Sequence, residues 1–274
     1  IHIHNPCFLQ HKGRVYVCQK EAFNKPSKKK VSLLCYGASF PHLRVKNINE
    51  MKATVVIGDI HGLETWKGIV KEHPDCRVVF LGDYLDPIGY VPRERLLSNL
   101  TEIIALKERR PNEVVLLLGN HDLHYFCTDI DVSSRFDFAI GEKASRLFLE
   151  HIDMFQYAYQ EGDYLFTHAG VSRAWFENDF HGDIHSPIAE QLNHPKDSQV
   201  PALCRLGHTR GGDEGATGGI FWADKRELSE PLPGFTQIVG HNRVAEVTTQ
   251  EGDSGGKIVF CDCLWNDNYL YLPH

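Results

Sequence analysis

The chain of 274 residues has no uninterrupted apolar run near the roughly 18 residues of a membrane-crossing helix, so no membrane partner is expected. Ile1 to Arg14 mixes histidines with apolar residues and lacks the apolar segment of about 7 to 15 residues that marks a secretory signal; a soluble, cytoplasmic protein is expected. None of the eight cysteines belongs to a C-x-x-C pair, which argues against a structural zinc site and reads as buried, reduced thiols. Cys261 and Cys263, two apart, are expected to face the same side of one strand. Positive charge is scarce outside the first 50 residues. Those 50 carry 9 Lys/Arg and 2 Asp/Glu, the remainder 20 and 34, so a net charge of −7 divides into +7 and −14. A body at −14 repels a long polyanion unless its cleft is locally positive, and no nucleic-acid partner is expected.

With 42% hydrophobic residues the chain has enough apolar side chains for one large core. Residues 1–50, with Lys28-Lys29-Lys30, read as a basic N-terminal appendage or an upstream extension, because Met51 stands just before the first strong strand and resembles a natural start. Within them Arg14 to Cys18 and Val31 to Tyr36 are β-like. Residues 51–274 form the main domain, in which strands alternate with helices over Glu64 to His73, Arg93 to Arg110 and Glu142 to Ile152. Leu96, Leu97, Leu100, Ile103, Ile104 and Leu106 make one apolar stripe on the second helix. This alternation predicts an α/β fold. Ile258 to Cys261 and Tyr269 to Leu272 are expected to close the chain as a β-hairpin.

Five short segments carry the chemistry: Gly58-Asp59-Ile60-His61-Gly62, Gly82-Asp83-Tyr84-Leu85-Asp86, Gly119-Asn120-His121-Asp122, Thr167-His168-Ala169-Gly170 and Gly240-His241. Each follows a β-rich apolar run, and the carboxyl ends of strands are where an open α/β sheet gathers its ligands. Carboxylate, imidazole and amide donors suit Mn²⁺, Fe or Zn²⁺ rather than soft metals. Asp59 and His61 serve one ion, Asp83 bridges to a second, and Asn120, His168 and His241 complete it. Two divalent ions about 3.5 to 4 Å apart clamp a phosphoryl group and activate a water. His121 is left over from coordination and is placed to protonate a departing alkoxide, with Asp86 orienting it.

Taken together these motifs resemble the calcineurin-like metallophosphoesterases over about residues 54–245, most closely the phosphoprotein phosphatase branch of bacterial type, whose series runs GDxHG, GDxxD, GNH, HAG and GH. The resemblance implies an α/β (α+β) four-layer αββα sandwich of two mixed β-sheets flanked by helices, and a dinuclear centre. It matches Asp59, His61, Asp83, Asn120, His168 and His241 to metal ligands, and His121 and Asp86 to the acid and its partner. Phe221-Trp222-Ala223-Asp224 resembles the Trp-Ser-Asp segment of that branch.

Three departures stand out. Pro87 follows Asp86 where the branch has a phosphate-binding arginine, removing a bidentate anchor. Asp122 stands where Glu is usual. Gly207-His208 competes with Gly240-His241, which is preferred for its better strand. Arg210, then Arg173 and Arg243, are the candidates for the missing anchor, with Asn120 also facing substrate. The expected function is hydrolysis of a phosphorylated substrate, a phosphoprotein or small phosphate ester, by a Ser/Thr-phosphatase-type phosphomonoesterase using two divalent ions, Mn²⁺ first. The alternatives are a dinucleoside polyphosphate hydrolase or phosphodiesterase, with Tyr84, Tyr90 or Tyr125 lining a base pocket, and, more remotely, a non-catalytic scaffold. The oligomeric state is open, and a monomer is compatible with one domain.

Overall fold

The apolar runs that precede the motifs become short strands buried on both faces. The structure is a computed structural model and describes residues 7–11, 14–18, 52–127 and 134–273. In chain order the elements are β1 (Cys7–His11), β2 (Arg14–Cys18), β3 (Thr54–Ile57), α1 (Trp66–Glu72), β4 (Arg77–Phe80), α2 (Arg93–Arg109), β5 (Val114–Leu117), α3 (Asn120–Leu123), α4 (Gly141–Glu150), β6 (Phe155–Gln156), β7 (Ala158–Glu161), β8 (Tyr164–Thr167), α5 (Ile188–Asn193), α6 (Val200–Leu203), β9 (Thr236–Arg243), β10 (Thr248–Glu251), β11 (Lys257–Asp262) and β12 (Leu270–Leu272). One sheet runs β12-β3-β4-β5-β6 and the other β10-β11-β9-β8-β7. Both are mixed: β3 to β6 are parallel with β12 antiparallel at the edge, and β11, β9 and β8 are parallel between antiparallel β10 and β7.

Side-chain alternation explains the layering. On β3, β4 and β5, Val55, Ile57, Val78, Phe80, Val114 and Leu116 face the helices, packing with Leu96, Leu100, Ile103 and Ile104 of α2 and Phe148 of α4. The intervening Val56, Val79, Val115 and Leu117 turn inward and meet Phe166, Ile238 and Cys261 of the second sheet. The outer face of that sheet is covered by α5, α6 and the segment through Ala223 and Leu228. The result is the four-layer arrangement of two mixed sheets with helices outside. Among the described residues, no helix is long and apolar enough to cross a membrane.

The expected hairpin does not form. β11 pairs in parallel with β9 and antiparallel with β10, while β12 crosses to the other sheet and pairs with β3. Cys261 ends up on β11 and Cys263 just beyond it; both are buried, and the Cys263 thiol donates to the Cys261 carbonyl at 3.5 Å. Arg14–Cys18 is a strand, paired antiparallel with Cys7–His11. The β-like run Val31 to Tyr36 and the lysine run lie outside the described residues.

Candidate metal centre

The ligand-type residues lie in the turns after β3, β4, β5 and β8 and inside β9, all at one edge of the sandwich. These turns are unusually bent. Among the described residues seven non-glycine positions have φ in the left-handed region, and His61, Asp83, Asp86 and His241 are four of them. Such backbone is held only where surrounding contacts over-determine it. Asp122 supplies part of that constraint: its carboxylate accepts from the amides of Asp83, Tyr84 and Gly119, each at 2.8 Å, tying the turn after β4 to the turn after β5. Two glycines are required by close approach. A Cβ on Gly119 would lie 2.2 Å from Asp83 Oδ1, and one on Gly240 would lie 2.2 Å from Asp59 Oδ1. A register shift between β9 and β11 near Phe260 and Asp262 bulges β9 and carries His241 into the cleft.

Two groups of donors share Asp83. Asp59, His61 and Asp83 form one, and Asp83, His168 and His241 the other. In the first, His61 Nδ1–H donates to the Leu85 carbonyl at 2.9 Å, leaving Nε2 with a lone pair 3.8 Å from Asp59 Oδ2 and 3.6 Å from Asp83 Oδ2. In the second, His168 Nδ1–H donates to the Leu81 carbonyl at 2.8 Å, so its Nε2 lone pair faces Asn120 Oδ1 at 2.9 Å and Asp83 Oδ1 at 3.6 Å. Asn120 Oδ1 also meets His241 Nδ1 at 2.9 Å, and among the described residues the buried His241 Nε2 has no hydrogen-bond partner. Lone pairs turned toward one another in a buried site are unfavourable unless a cation lies between them.

The electrostatics agree. Burial pushes the Asp59 carboxyl well above its usual range, with Asp262 and Asp83 adding repulsion, and burial and Asp122 do the same to Asp83. Burial brings His61 and His168 down to about 3 and lowers His241, so all three imidazoles are neutral. Carboxylates that resist ionisation and imidazoles with free lone pairs fit divalent cations.

His121, whose ring centroid is 5.3 Å from that of His61, borders the centre. Its Nδ1–H donates to Asp86 Oδ2 at 2.8 Å. Asp86 also meets His124 Nε2 at 2.7 Å and accepts from the Tyr125 hydroxyl. Burial alone would raise the Asp86 carboxyl, but these hydrogen bonds from His121, His124 and Tyr125 bring it below the usual carboxylate value. His121 itself is lowered by burial, with Asp86 working against that and Arg135 adding to it.

A cleft of about 480 Å³ opens over these residues. Arg210 and Arg243 reach it, Arg210 held by Asp224 at 3.0 Å and Asn242 at 3.2 Å, Arg243 stacked 4.1 Å over Trp265. Trp222, from the Phe221-Trp222-Ala223-Asp224 segment, lines the same cleft beside His241. Arg173 does not reach it; its guanidinium pairs with Glu177 at 2.9 Å. His208 is exposed on a short 3₁₀ turn and does not line the cleft. Tyr84 is core, its hydroxyl donating to the Leu117 carbonyl at 2.9 Å. Two charged cleft residues, Arg135 and Asp262, are not among the sequence candidates. Arg135 donates to the Asp86 carbonyl at 2.7 Å and to His121 Nε2 at 3.1 Å. Asp262, at the end of β11, is buried beside Asp59; burial pushes it up to about 6, with Arg243, Arg135 and Arg210 working against the rise. Asp262 obeys the same rule as the other acids, a carboxylate closing an apolar run, whereas Arg135 has no such signal.

A two-sheet sandwich with buried Asp and His clusters at the carboxyl ends of its parallel strands defines a metal-dependent hydrolase of phosphoric esters. The chain belongs to the calcineurin-like phosphoesterase family, whose sequence profile matches residues 53–242. Among solved structures, a cold-active protein-tyrosine phosphatase of a psychrophile Shewanella sp. is similar at a TM-score of 0.52 and 15% identity, covering 100% of this chain and 92% of that one. A protein serine/threonine phosphatase from Saccharomyces cerevisiae gives 0.48 at 16% identity, over 77% of this chain and 67% of that one. A metallophosphoesterase from Sphaerobacter thermophilus gives 0.34 at 17% identity, over 76% and 75%. At 15% identity the likeness to the Shewanella enzyme is one of fold.

Proposed function

We propose that the protein is a phosphomonoesterase acting on phosphorylated side chains or small phosphate esters with two divalent ions, Mn²⁺ first. One observation carries this reading: the two oxygens of Asp83 face different ligand groups, Oδ2 toward His61 Nε2 and Oδ1 toward His168 Nε2, both at 3.6 Å. A single carboxylate so placed would serve both ions. Asp59 and His61 would hold one ion with it, and Asn120, His168 and His241 the other. When bound, such a pair neutralises phosphoryl charge and makes a water acidic enough to serve as nucleophile.

The remaining roles fall to the chain's own side chains. Arg135, Arg210 and Arg243 surround the centre and bind the non-reacting phosphoryl oxygens, Arg135 doing so from the side where Pro87 displaces the family's arginine. His121, oriented by Asp86, carries a proton on Nε2 to the leaving oxygen, and Asp86 stays ionised to stabilise the imidazolium. The test is phosphate release by metal-stripped protein given Mn²⁺, offered p-nitrophenyl phosphate, its bis-ester, a phosphothreonine peptide and diadenosine tetraphosphate. Monoester turnover that depends on added metal is expected. Preference for the bis-ester or the dinucleotide would replace this reading with a diesterase or polyphosphate hydrolase.

A further inference from the structure

Pro87 does more than remove an arginine. A second groove of about 670 Å³ adjoins the metal cleft, and Pro87, Val91 and Arg135 line both. Asp86 lines the groove while its hydrogen-bond partner His121 lines the cleft, so the groove leads away from the side that carries the acid. That is where a leaving group departs. Three large apolar side chains stand exposed along this path: Ile88 at 58%, Tyr90 at 92% and Phe138 at 80%. Exposed aromatics grouped beside a reaction centre mark a binding surface.

The groove is built. Phe138 packs edge-on against Phe136 at 4.7 Å, Phe136 stacks on Tyr125 at 4.7 Å, and Tyr125 is hydrogen-bonded to Asp86, so the aromatic wall is continuous with the acid pair. Arg93 and Asp137 clamp it through two hydrogen bonds of 2.6 and 3.2 Å.

We propose that this groove is a leaving-group subsite for an aromatic ring, and that the preferred substrates are aryl phosphomonoesters such as phosphotyrosine in a peptide. The proposal rests on the phosphomonoesterase reading above. The first atoms beyond the leaving oxygen meet Pro87, Ile88 and Val91, whose side chains offer no donor or acceptor, while Arg135 at the same junction is turned to the Asp86 carbonyl and His121. A seryl or threonyl ester would bring backbone amides there, which need partners. An aryl ester brings ring carbons, with Tyr90 and Phe138 further along to stack on them.

The test compares phenylphosphonate with methylphosphonate as ligands of the Mn²⁺-loaded full chain, by calorimetry, in the parent, Tyr90→Ala and Phe138→Ala. Both side chains are exposed, so the fold tolerates their loss. Phenylphosphonate is expected to bind about tenfold tighter, with the advantage shrinking in each variant and methylphosphonate unaffected. Equal binding of the two, or an advantage that survives both substitutions, would overturn the subsite. Turnover of glycerol 2-phosphate is followed in parallel. Turnover without any ring preference leaves the hydrolase reading standing and removes the subsite. Ring preference without turnover of any ester does the reverse.

Discussion

The Arg135 guanidinium donates to Nε2 of His121 at 3.1 Å, the nitrogen that must carry a proton if His121 is to act as an acid. With substrate absent, the arginine therefore occupies the position of the proton. A phosphoryl group entering the cleft competes for that guanidinium and releases Nε2. Arg135→Ala should raise KM for a phosphomonoester, and the inhibition constant of inorganic phosphate, by roughly 10- to 100-fold, the worth of a charge-assisted hydrogen bond. The same change removes a neighbouring cation that lowers the His121 pKa, so the basic limb of the kcat/KM profile should move to higher pH. Arg173→Ala, outside the cleft, should change neither. An unmoved pH profile in Arg135→Ala would show that the guanidinium does not govern His121.

Asp83 faces both ligand groups, whereas His241 belongs to one. Metal analysis of the two variants separates a shared centre from two independent sites. His241→Ala should retain one Mn²⁺ per chain, and Asp83→Asn should weaken both by more than the roughly 10- to 100-fold that outer-sphere partners contribute. Asp83→Asn retaining one ion at parental affinity would exclude a bridging role.

The acid assignment has its own signature. A group that protonates a leaving oxygen matters most when that oxygen is basic. His121→Ala is expected to lower kcat for an alkyl phosphate by about 10²- to 10⁴-fold and for p-nitrophenyl phosphate far less. Asp86→Asn should reproduce the pattern more weakly. Equal losses for both esters would place His121 in binding rather than proton transfer.

How much of this could be read from the chain alone depends on which interactions are local. The segments that the structure gathers around the candidate metal centre were legible because each couples a strand-forming run to a polar residue at its carboxyl end, and Asp59, Asp83 and His168 all obey that rule. Asp262 obeys it too, but the run before it reads in sequence as one arm of a hairpin. Short apolar runs do not carry the identity of their pairing partner: Leu270 pairs with Val56, far off in sequence. Arg135 was invisible for a different reason. Its position is set by the Arg93–Asp137 clamp and by a left-handed backbone at φ 72°, both consequences of tertiary packing. Arg173 misled because nearness in sequence to His168 is not nearness in space; its amide donates to the Glu230 carbonyl at 2.8 Å and its side chain turns to Glu177.

Stability should depend on pH and metal together, in a direction fixed by the buried groups. The imidazoles of His61 and His168, at about 3 when folded against 6.5 when free, make the unfolded chain bind more protons between those values, so they raise stability as pH rises to about 6.5. The carboxyls of Asp59 and Asp83 are raised when folded, so above 3.8 the folded protein binds more protons than the unfolded chain and stability falls with pH. The two contributions oppose each other up to about pH 6.5. Asp122, raised to about 7, works in the same direction as those carboxyls until the pH passes that value. Metal-stripped protein should therefore lose stability as pH climbs from 6.5 through about 7, where the imidazole contribution has ended and Asp122 is still losing its proton. Bound Mn²⁺ stabilises the ionised carboxylates and should remove that loss. At 100 times its dissociation constant the metal would add about 2.7 kcal/mol, roughly 5 to 10 °C in Tm for a chain of this size. Paired melting curves with Mn²⁺ and with a chelator, taken across this range, are expected to separate further at each step upward in pH. Curves that converge instead would mean that the buried carboxylates do not hold the cation.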